Sequence, residues 1–388
     1  MKITDFALNI KRILKFAVQI AVPRKADENP SLGGRLRALI VYVTKQNGGV
    51  KHSNQQELQQ IIAALETLGY MVDICDYWTN YRQRTYSEYD LFFGFGDLFE
   101  DICTKKNQKQ ISIYYATTAY LPFQNNAEIQ RCRFFRDKTG VWIQPKRNID
   151  RSWPASLNLS DAIYLIGNEW TKSTYPQWAQ EKILLIKPTS NAPCLNIDQD
   201  LQKFNCRLPI AWIGSSGCLH KGLDLVLDFA LTNEDCQLDI FGNNYLIDPE
   251  FCNYIESVRT TRIRAHGQVD FQDDSVRSVV HQCKYAILPS CSEGTATSIL
   301  AAVQMGLFPI VSKECGIPRD IACVQMDQLS QSAIHQAINH AESIPLGQMK
   351  ELRLMNQRTI ENSYSIRAFS LDMFNKLDAQ TALQRKII

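Results

Sequence analysis

The chain has 388 residues, enough at roughly 150 residues per domain for two or three domains with a sizeable core in each half. A composition of 45% hydrophobic and 21% charged residues is that of a soluble globular protein and excludes disordered, collagenous and low-complexity classes. Lys and Arg total 42 against 40 Asp and Glu, and the net charge of +2 lacks the basic excess of a nucleic-acid binder. The 12 cysteines are scattered singly from Cys75 to Cys323 without a C-x-x-C pair. With no cleavable signal peptide ahead of them, they point to reduced thiols and a cytoplasmic location.

Residues 1–30 stand apart as a basic amphipathic segment. Ile3, Phe6, Ile10, Ile13, Leu14, Ala17 and Ile20 recur near helical spacing, among Lys2, Lys11, Arg12 and Lys15 and ahead of Arg24 and Lys25. The charges leave no uncharged run of the ~20 residues that cross a bilayer. Two readings remain: a helix lying on an anionic membrane face, or an ordinary helix packed on the body of the protein.

From residue 31 the pattern alternates. Ala38–Val43 is a short branched apolar run that predicts a strand buried on both faces, closed by the turn Asn47-Gly48-Gly49. Leu58, Ile61, Ile62, Leu65 and Leu68 form one stripe of a helix from about Gln55 to Leu68, ended by Gly69. Met71–Cys75, Tyr89–Phe93, Ile111–Tyr115, Ala162–Ile166 and Ile183–Ile186 read as further strands. After a polar link with Pro188, Asn191, Pro193 and Pro209, the pattern restarts. Ile210–Ile213, Leu238–Phe241, Arg262–Ala265, Tyr285–Leu288 and Pro309–Val311 are strands, and Leu223–Leu231, Ser298–Met305 and Leu329–Ser343 are helices.

The organisation expected is therefore α/β: a Rossmann-like, doubly wound parallel-sheet domain over 31–200 and a second over 201–365. A last helix over 366–388 returns to the first domain. Two such sheets facing each other leave a cleft at their carboxyl edges, where open α/β folds bind ligands.

Two loops carry the chemistry. In Gly214-Ser215-Ser216-Gly217-Cys218-Leu219-His220-Lys221-Gly222 a strand ends, small residues follow, and a helix begins. Backbone N–H groups and the Ser215 and Ser216 hydroxyls suit a phosphate, with Lys221 as the point charge for a diphosphate. The loop is not a Walker sequence, and no G-x-G-x-x-G runs from a strand into a helix, which disfavours a dehydrogenase. In Pro289-Ser-Cys-Ser-Glu-Gly294 a carboxylate, Glu293, directly follows a strand. The amides of Gly294, Thr295, Ala296 and Thr297 run into a helix N-terminus suited to an anion.

Together these loops resemble the donor half of the GT-B glycosyltransferases, specifically the large retaining group classed as family four. The resemblance is carried by Gly214 to Lys221-Gly222, by Pro289-Ser-Cys-Ser-Glu-Gly294 and by Gly306-Leu-Phe-Pro-Ile-Val311, with Gly242 and His266-Gly267 at intervening strand ends. It covers about 170 residues in detail, and more loosely the first half, through Gly48-Gly49.

The resemblance implies a GT-B enzyme that passes a hexose from a nucleotide-diphosphate sugar to a hydroxyl acceptor with retention. It implies no cofactor and no metal, and a place in surface polysaccharide or glycolipid synthesis. By the same carry-over Lys221 binds the diphosphate, Glu293 accepts from the donor sugar, and Gly48, Gly49, Gly214, Ser215, Ser216, Gly267 and the Gly294–Thr297 amides line the donor. Tyr120, Gly94 and Asn168 are the acceptor-side candidates. The partners implied are the nucleotide sugar and a glycan, lipid-linked or other hydroxyl acceptor, with no nucleic acid and with peripheral contact to an anionic membrane.

Three positions depart from the pattern. Ala301 stands where a second glutamate of Glu-x7-Glu holds the ribose. Ser215-Ser216 replaces the usual basic residue. Thr117-Thr-Ala-Tyr120 brings no histidine to the centre. His52 and His220 lie near the loops, where solvent-exposed side chains are the expectation. The rival reading is a catalytically silent GT-B module that binds nucleotide sugar or glycan as a partner or scaffold.

Overall fold

The computed structural model describes residues 36–44, 53–77, 86–149, 151–197, 207–242 and 248–385. The 1–30 segment, the Gly48-Gly49 turn, His52 and the expected domain boundary at 200 lie outside the described residues.

The first sheet has six parallel strands: β1 (Leu36–Tyr42), β2 (Tyr70–Asp76), β3 (Leu91–Gly94), β4 (Ile111–Ala116), β5 (Ala162–Ile166) and β6 (Ile183–Ile186). Their order is β2-β1-β3-β4-β5-β6. Branched and aromatic side chains fill both faces, because crossover helices cover a parallel sheet on either side. Between the strands lie α1 (Ser53–Thr67), α2 (Asp97–Lys105), α3 (Leu121–Thr139), α4 (Pro154–Leu159), α5 (Glu169–Ser173) and α6 (Gln177–Gln180).

The second sheet comprises β7 (Leu208–Ile213), β8 (Cys236–Phe241), β9 (Ile263–Gly267), β10 (Tyr285–Leu288), β11 (Phe308–Ser312) and β12 (Val324–Met326), also all parallel. The order β12-β11-β10-β7-β8-β9 is that of a doubly wound dinucleotide fold, with its topological switch between β7 and β10. Its helices are α7 (Leu223–Thr232), α8 (Pro249–Val258), α9 (Asp274–Val280), α10 (Thr297–Gln304), α11 (Gln331–Ser343) and α12 (Leu346–Ser363). The last helix, α13 (Ile366–Arg385), crosses back, and Phe369, Met373 and Leu377 join the first domain's core beside α1.

Helix α3 belongs to the first domain by sequence, yet Cys132 and Phe135 pack into the second domain's core. Phe135 sits edge-on to Tyr254 at 5.0 Å between ring centroids. The same helix buries Gln124, Glu128 and Arg131. A helix that buries polar residues against another domain shows no apolar stripe, which is why periodicity did not predict it.

Among the described residues none of the eleven cysteines is in a disulfide. Among the described residues no helix is long and apolar enough to cross a membrane.

Candidate active site

The loops after β7 and β10 flank the switch point of the second sheet, and their close approach depends on a glycine. Gly222 has φ 67°, and a Cβ there would lie 2.2 Å from the Pro289 carbonyl oxygen. Only glycine tolerates both that backbone and that contact. Lys221, one residue earlier, is thereby brought onto Glu293. Its ammonium group donates to Glu293 Oε1, which also accepts from Ser290 Oγ at 3.1 Å. Lys221 and Glu293 are both buried.

Burial by itself pushes the Glu293 carboxyl up. Lys221, then Arg147, then His220 outweigh it and hold the group down at about 2. The Glu293 carboxylate is therefore a stable anion because two cations, Lys221 and Arg147, face it. Arg147 comes from the first domain, with Nη2 3.9 Å from Glu293 Oε2.

His220 corrects a sequence expectation: it is fully buried rather than solvent-exposed. Its Nε2–H donates to the Ser292 carbonyl at 2.5 Å, which leaves Nδ1 as an unprotonated, buried atom without a hydrogen-bond partner. Burial, the largest influence, lowers its pKa to about 4, so the ring is neutral near pH 7.

The other predicted donor-side residues separate into two groups. Gly214 closes β7, and its N–H donates to the Phe241 carbonyl at 3.0 Å. Ser215 is exposed, Ser216 half-buried, and the Gly267 carbonyl accepts from Gly242 N–H at 2.7 Å. Gly294 is wedged between the domains: a Cβ there would stand 2.5 Å from both the Thr117 and Ile166 carbonyl oxygens. Its own carbonyl accepts from Thr171 Oγ1 at 2.8 Å. The Ala296 amide, expected among the phosphate donors, is instead spent on the Cys315 carbonyl at 2.9 Å, because the 3-10 turn Lys313–Cys315 folds against this loop. Thr297 opens helix α10 and is exposed. Ala301 is half-buried one turn further into that helix.

The acceptor-side candidates lie at the carboxyl ends of β3, β4 and β5. Gly94 ends β3, packed against the Val41 backbone. Tyr120 precedes α3, and its ring meets Tyr175 at 5.6 Å. Asn168 caps α5 by accepting from Thr171 N–H at 3.0 Å, and reaches across the cleft to donate to the Ile317 carbonyl at 2.9 Å. Its side chain thus ties the domains together.

Sequence reasoning missed the seam built by α3 and the loop after it. Arg131 pairs with Asp224, Lys138 with Asp228, Lys146 with Glu250 and Arg147 with Glu293. In all four pairs the cation belongs to the first domain and the carboxylate to the second. The one visible signal was the basic pair Lys146-Arg147 after Pro145. Among the described residues no group of three or more His, Cys, Asp or Glu side chains is placed to hold a metal ion.

Residues 209–340 match the family described as glycosyl transferases group 1. No curated protein matches the sequence. Among solved structures, sucrose-phosphate synthase from Thermosynechococcus elongatus superposes with TM-score 0.64 at 14% identity, covering 90% of this chain and 100% of that one. Anabaena HepE in complex with UDP gives 0.61 at 11% identity, covering 89% of this chain and 100% of its own. WaaG, a glycosyltransferase involved in lipopolysaccharide biosynthesis, gives 0.50 at 10% identity over 87% and 99%. At such identities the likeness establishes the fold, which is that of GT-B glycosyltransferases.

Proposed function

From a chain that has the GT-B fold and whose residues 209–340 fall within the glycosyl transferases group 1 family, we propose a glycosyltransferase that moves a hexose from a nucleotide-diphosphate sugar to a hydroxyl acceptor with retention. The observation that carries this reading is the Lys221–Glu293 contact at the switch point of the second sheet, facing the first domain. Lys221 meets the diphosphate, and Glu293 accepts hydrogen bonds from the donor sugar. The N-terminus of α10, starting at Thr297, adds the positive end of its dipole. As the glycosidic bond breaks, negative charge develops on the leaving phosphate, and fixed cations and amides stabilise it. The acceptor lies against the first domain's carboxyl edge, near Tyr120, Gly94 and Asn168. A glycan or a lipid-linked acceptor suits a role in surface polysaccharide or glycolipid synthesis at the cytoplasmic face of a membrane. HepE is known with UDP and with UDP-glucose, so UDP-glucose is the first donor to try.

The test is calorimetric titration with UDP, GDP, ADP and CDP, followed by assay of donor hydrolysis and NMR of the anomeric configuration of any product. One nucleoside diphosphate is expected to bind, more weakly to Lys221→Ala, and slow hydrolysis is expected to vanish in Glu293→Ala. A second reading, the catalytically silent module, is favoured by Ala301 in place of a ribose-holding carboxylate. Binding without hydrolysis or transfer for any donor would establish it in place of the first.

A further inference from the structure

The cleft has a charge problem that Lys221 does not solve. Its ammonium group is already neutralised by Glu293, a carboxylate that stays ionised down to about pH 2, and His220 beside them is neutral near pH 7. The strand-end loop offers Ser215 and Ser216 and no cation. Counted over Lys221, Glu293 and His220, the net charge facing a diphosphate is zero. Arg147 makes it positive.

Several features hold Arg147 in place for that task. Its backbone N–H donates to both carboxylate oxygens of Glu128, at 2.8 and 3.0 Å, and its carbonyl accepts from Gln124 Nε2 at 2.9 Å. Lys146 N–H adds a third bond to Glu128 at 2.9 Å. Glu128 and Gln124 are both buried on α3, so the loop is anchored to the helix that docks on the second domain. The side chain then passes over Gly217, where φ is 80° and a Cβ would lie 2.6 Å from Arg147 Cγ. Residue 217 leaves room for the arginine stem. The Arg147 side chain is 27% exposed, and the 3.9 Å separation of its Nη2 from Glu293 Oε2 is at the outer limit of an ion pair. It is close enough to be held and loose enough to exchange partners.

We infer that Arg147 binds the donor diphosphate, so that the first domain completes the donor site and replaces the cation missing at Ser215-Ser216. This rests on the glycosyltransferase reading and deepens it. Glu293 is the anion that both cations face in this structure. When donor enters, the Arg147 guanidinium turns to the phosphate oxygens and leaves Glu293 to Lys221 and the sugar. Because Arg147 rides on the first domain, a donor-competent site exists only while the domains are in contact.

The experiment compares wild type, Arg147→Gln and Arg147→Lys by calorimetry, using the nucleoside diphosphate that wild type binds best and the matching nucleoside without phosphates. Charged hydrogen bonds of this kind correspond to a loss of about 10- to 100-fold in diphosphate affinity for Arg147→Gln. Nucleoside affinity should not change. Arg147→Lys should recover part of the loss, since it keeps the charge and loses the fork. Unchanged diphosphate binding in Arg147→Gln overturns the inference alone. Equal loss for nucleoside and diphosphate also overturns it, by showing a structural role. Failure of wild type to bind any nucleoside diphosphate overturns it together with the reading beneath it.

Discussion

The Arg131 guanidinium of the first domain grips the Asp224 carboxylate of the second, with Nη2 at 2.6 Å from Oδ1 and 2.5 Å from Oδ2. The two side chains are only 6% and 2% exposed. The pair sits where α3 crosses α7, beside the Phe135–Tyr254 contact, and it marks the seam as a packed interface. Removing one member leaves the other as an uncompensated buried charge, which costs about 3–5 kcal/mol. Asp224→Leu and Arg131→Met are each expected to lower the unfolding free energy in urea titrations by about that amount. The double variant Arg131→Met/Asp224→Leu should recover most of the loss, because a well-packed apolar pair is often as stable as a buried ion pair. Additive losses in the double-mutant cycle would refute a direct pairing.

Glu293 predicts a pH dependence with a definite sign. Its folded pKa, about 2, lies below the ordinary glutamate value of ~4.3 in an unfolded chain. A depressed carboxyl contributes stability that is complete above the unfolded value and is lost as pH falls through the folded one. The stability gap between wild type and Glu293→Gln should therefore be constant above about pH 5. It should narrow steadily between there and pH 3.5, its carboxylate part being on the order of 2–3 kcal/mol. Urea titrations at half-unit pH intervals read this directly. A gap that widens with acid would mean the carboxylate is not held by cations.

What the sequence made legible follows from what each element buries. Strands such as Ala162–Ile166 and Tyr285–Leu288 are apolar on both faces, and their runs mark them without ambiguity. Strand β12 was not legible: Val324–Met326 is three residues long, with Gln325 exposed between two buried neighbours. Lys221 and Glu293 were legible as candidate residues because each follows a strand of one sheet at short range, and the structure brings the two side chains into contact. Arg147 was not. It follows no strand, and the 3.9 Å approach to Glu293 exists only through the docking of α3 on the other domain. His220 read as an exposed loop residue because sequence cannot show that the Ser292 carbonyl closes over it.

Gly294 is expected to control how closely the domains approach. Its Cα faces the Thr117 and Ile166 carbonyl oxygens at the ends of β4 and β5, and a methyl group there would overlap both at 2.5 Å. Backbone oxygens on two strands of one sheet cannot step aside independently, so relief must come from separating the domains. Gly294→Ala should raise the radius of gyration in small-angle scattering and depress turnover. The second domain's own core should keep its stability, since the strain falls on the seam. An unchanged radius with unchanged turnover would show that the Gly294 loop itself yields.

The interdomain link is held from the first domain by Glu57, and this contact titrates in the opposite sense to Glu293. Its Oε1 accepts from both Thr189 N–H and Thr189 Oγ1, at 2.8 and 2.9 Å, in a buried position on α1. Burial, the largest influence, raises its pKa, and the Thr189 bonds only partly oppose it. A carboxyl raised on folding favours the protonated form, so its contribution is fully present below the unfolded value and is lost as pH rises through the folded one. Glu57→Gln keeps the acceptor at Oε1 and avoids the buried charge, so it should gain on wild type as pH rises from 4 toward 8. Glu57→Ala instead leaves two Thr189 donors without their acceptor and should cost about 1–3 kcal/mol at every pH. Urea midpoints for the three proteins at pH 5 and pH 8 separate these effects. If Gln and Ala variants behaved alike, the Thr189 bonds would not be what holds the link.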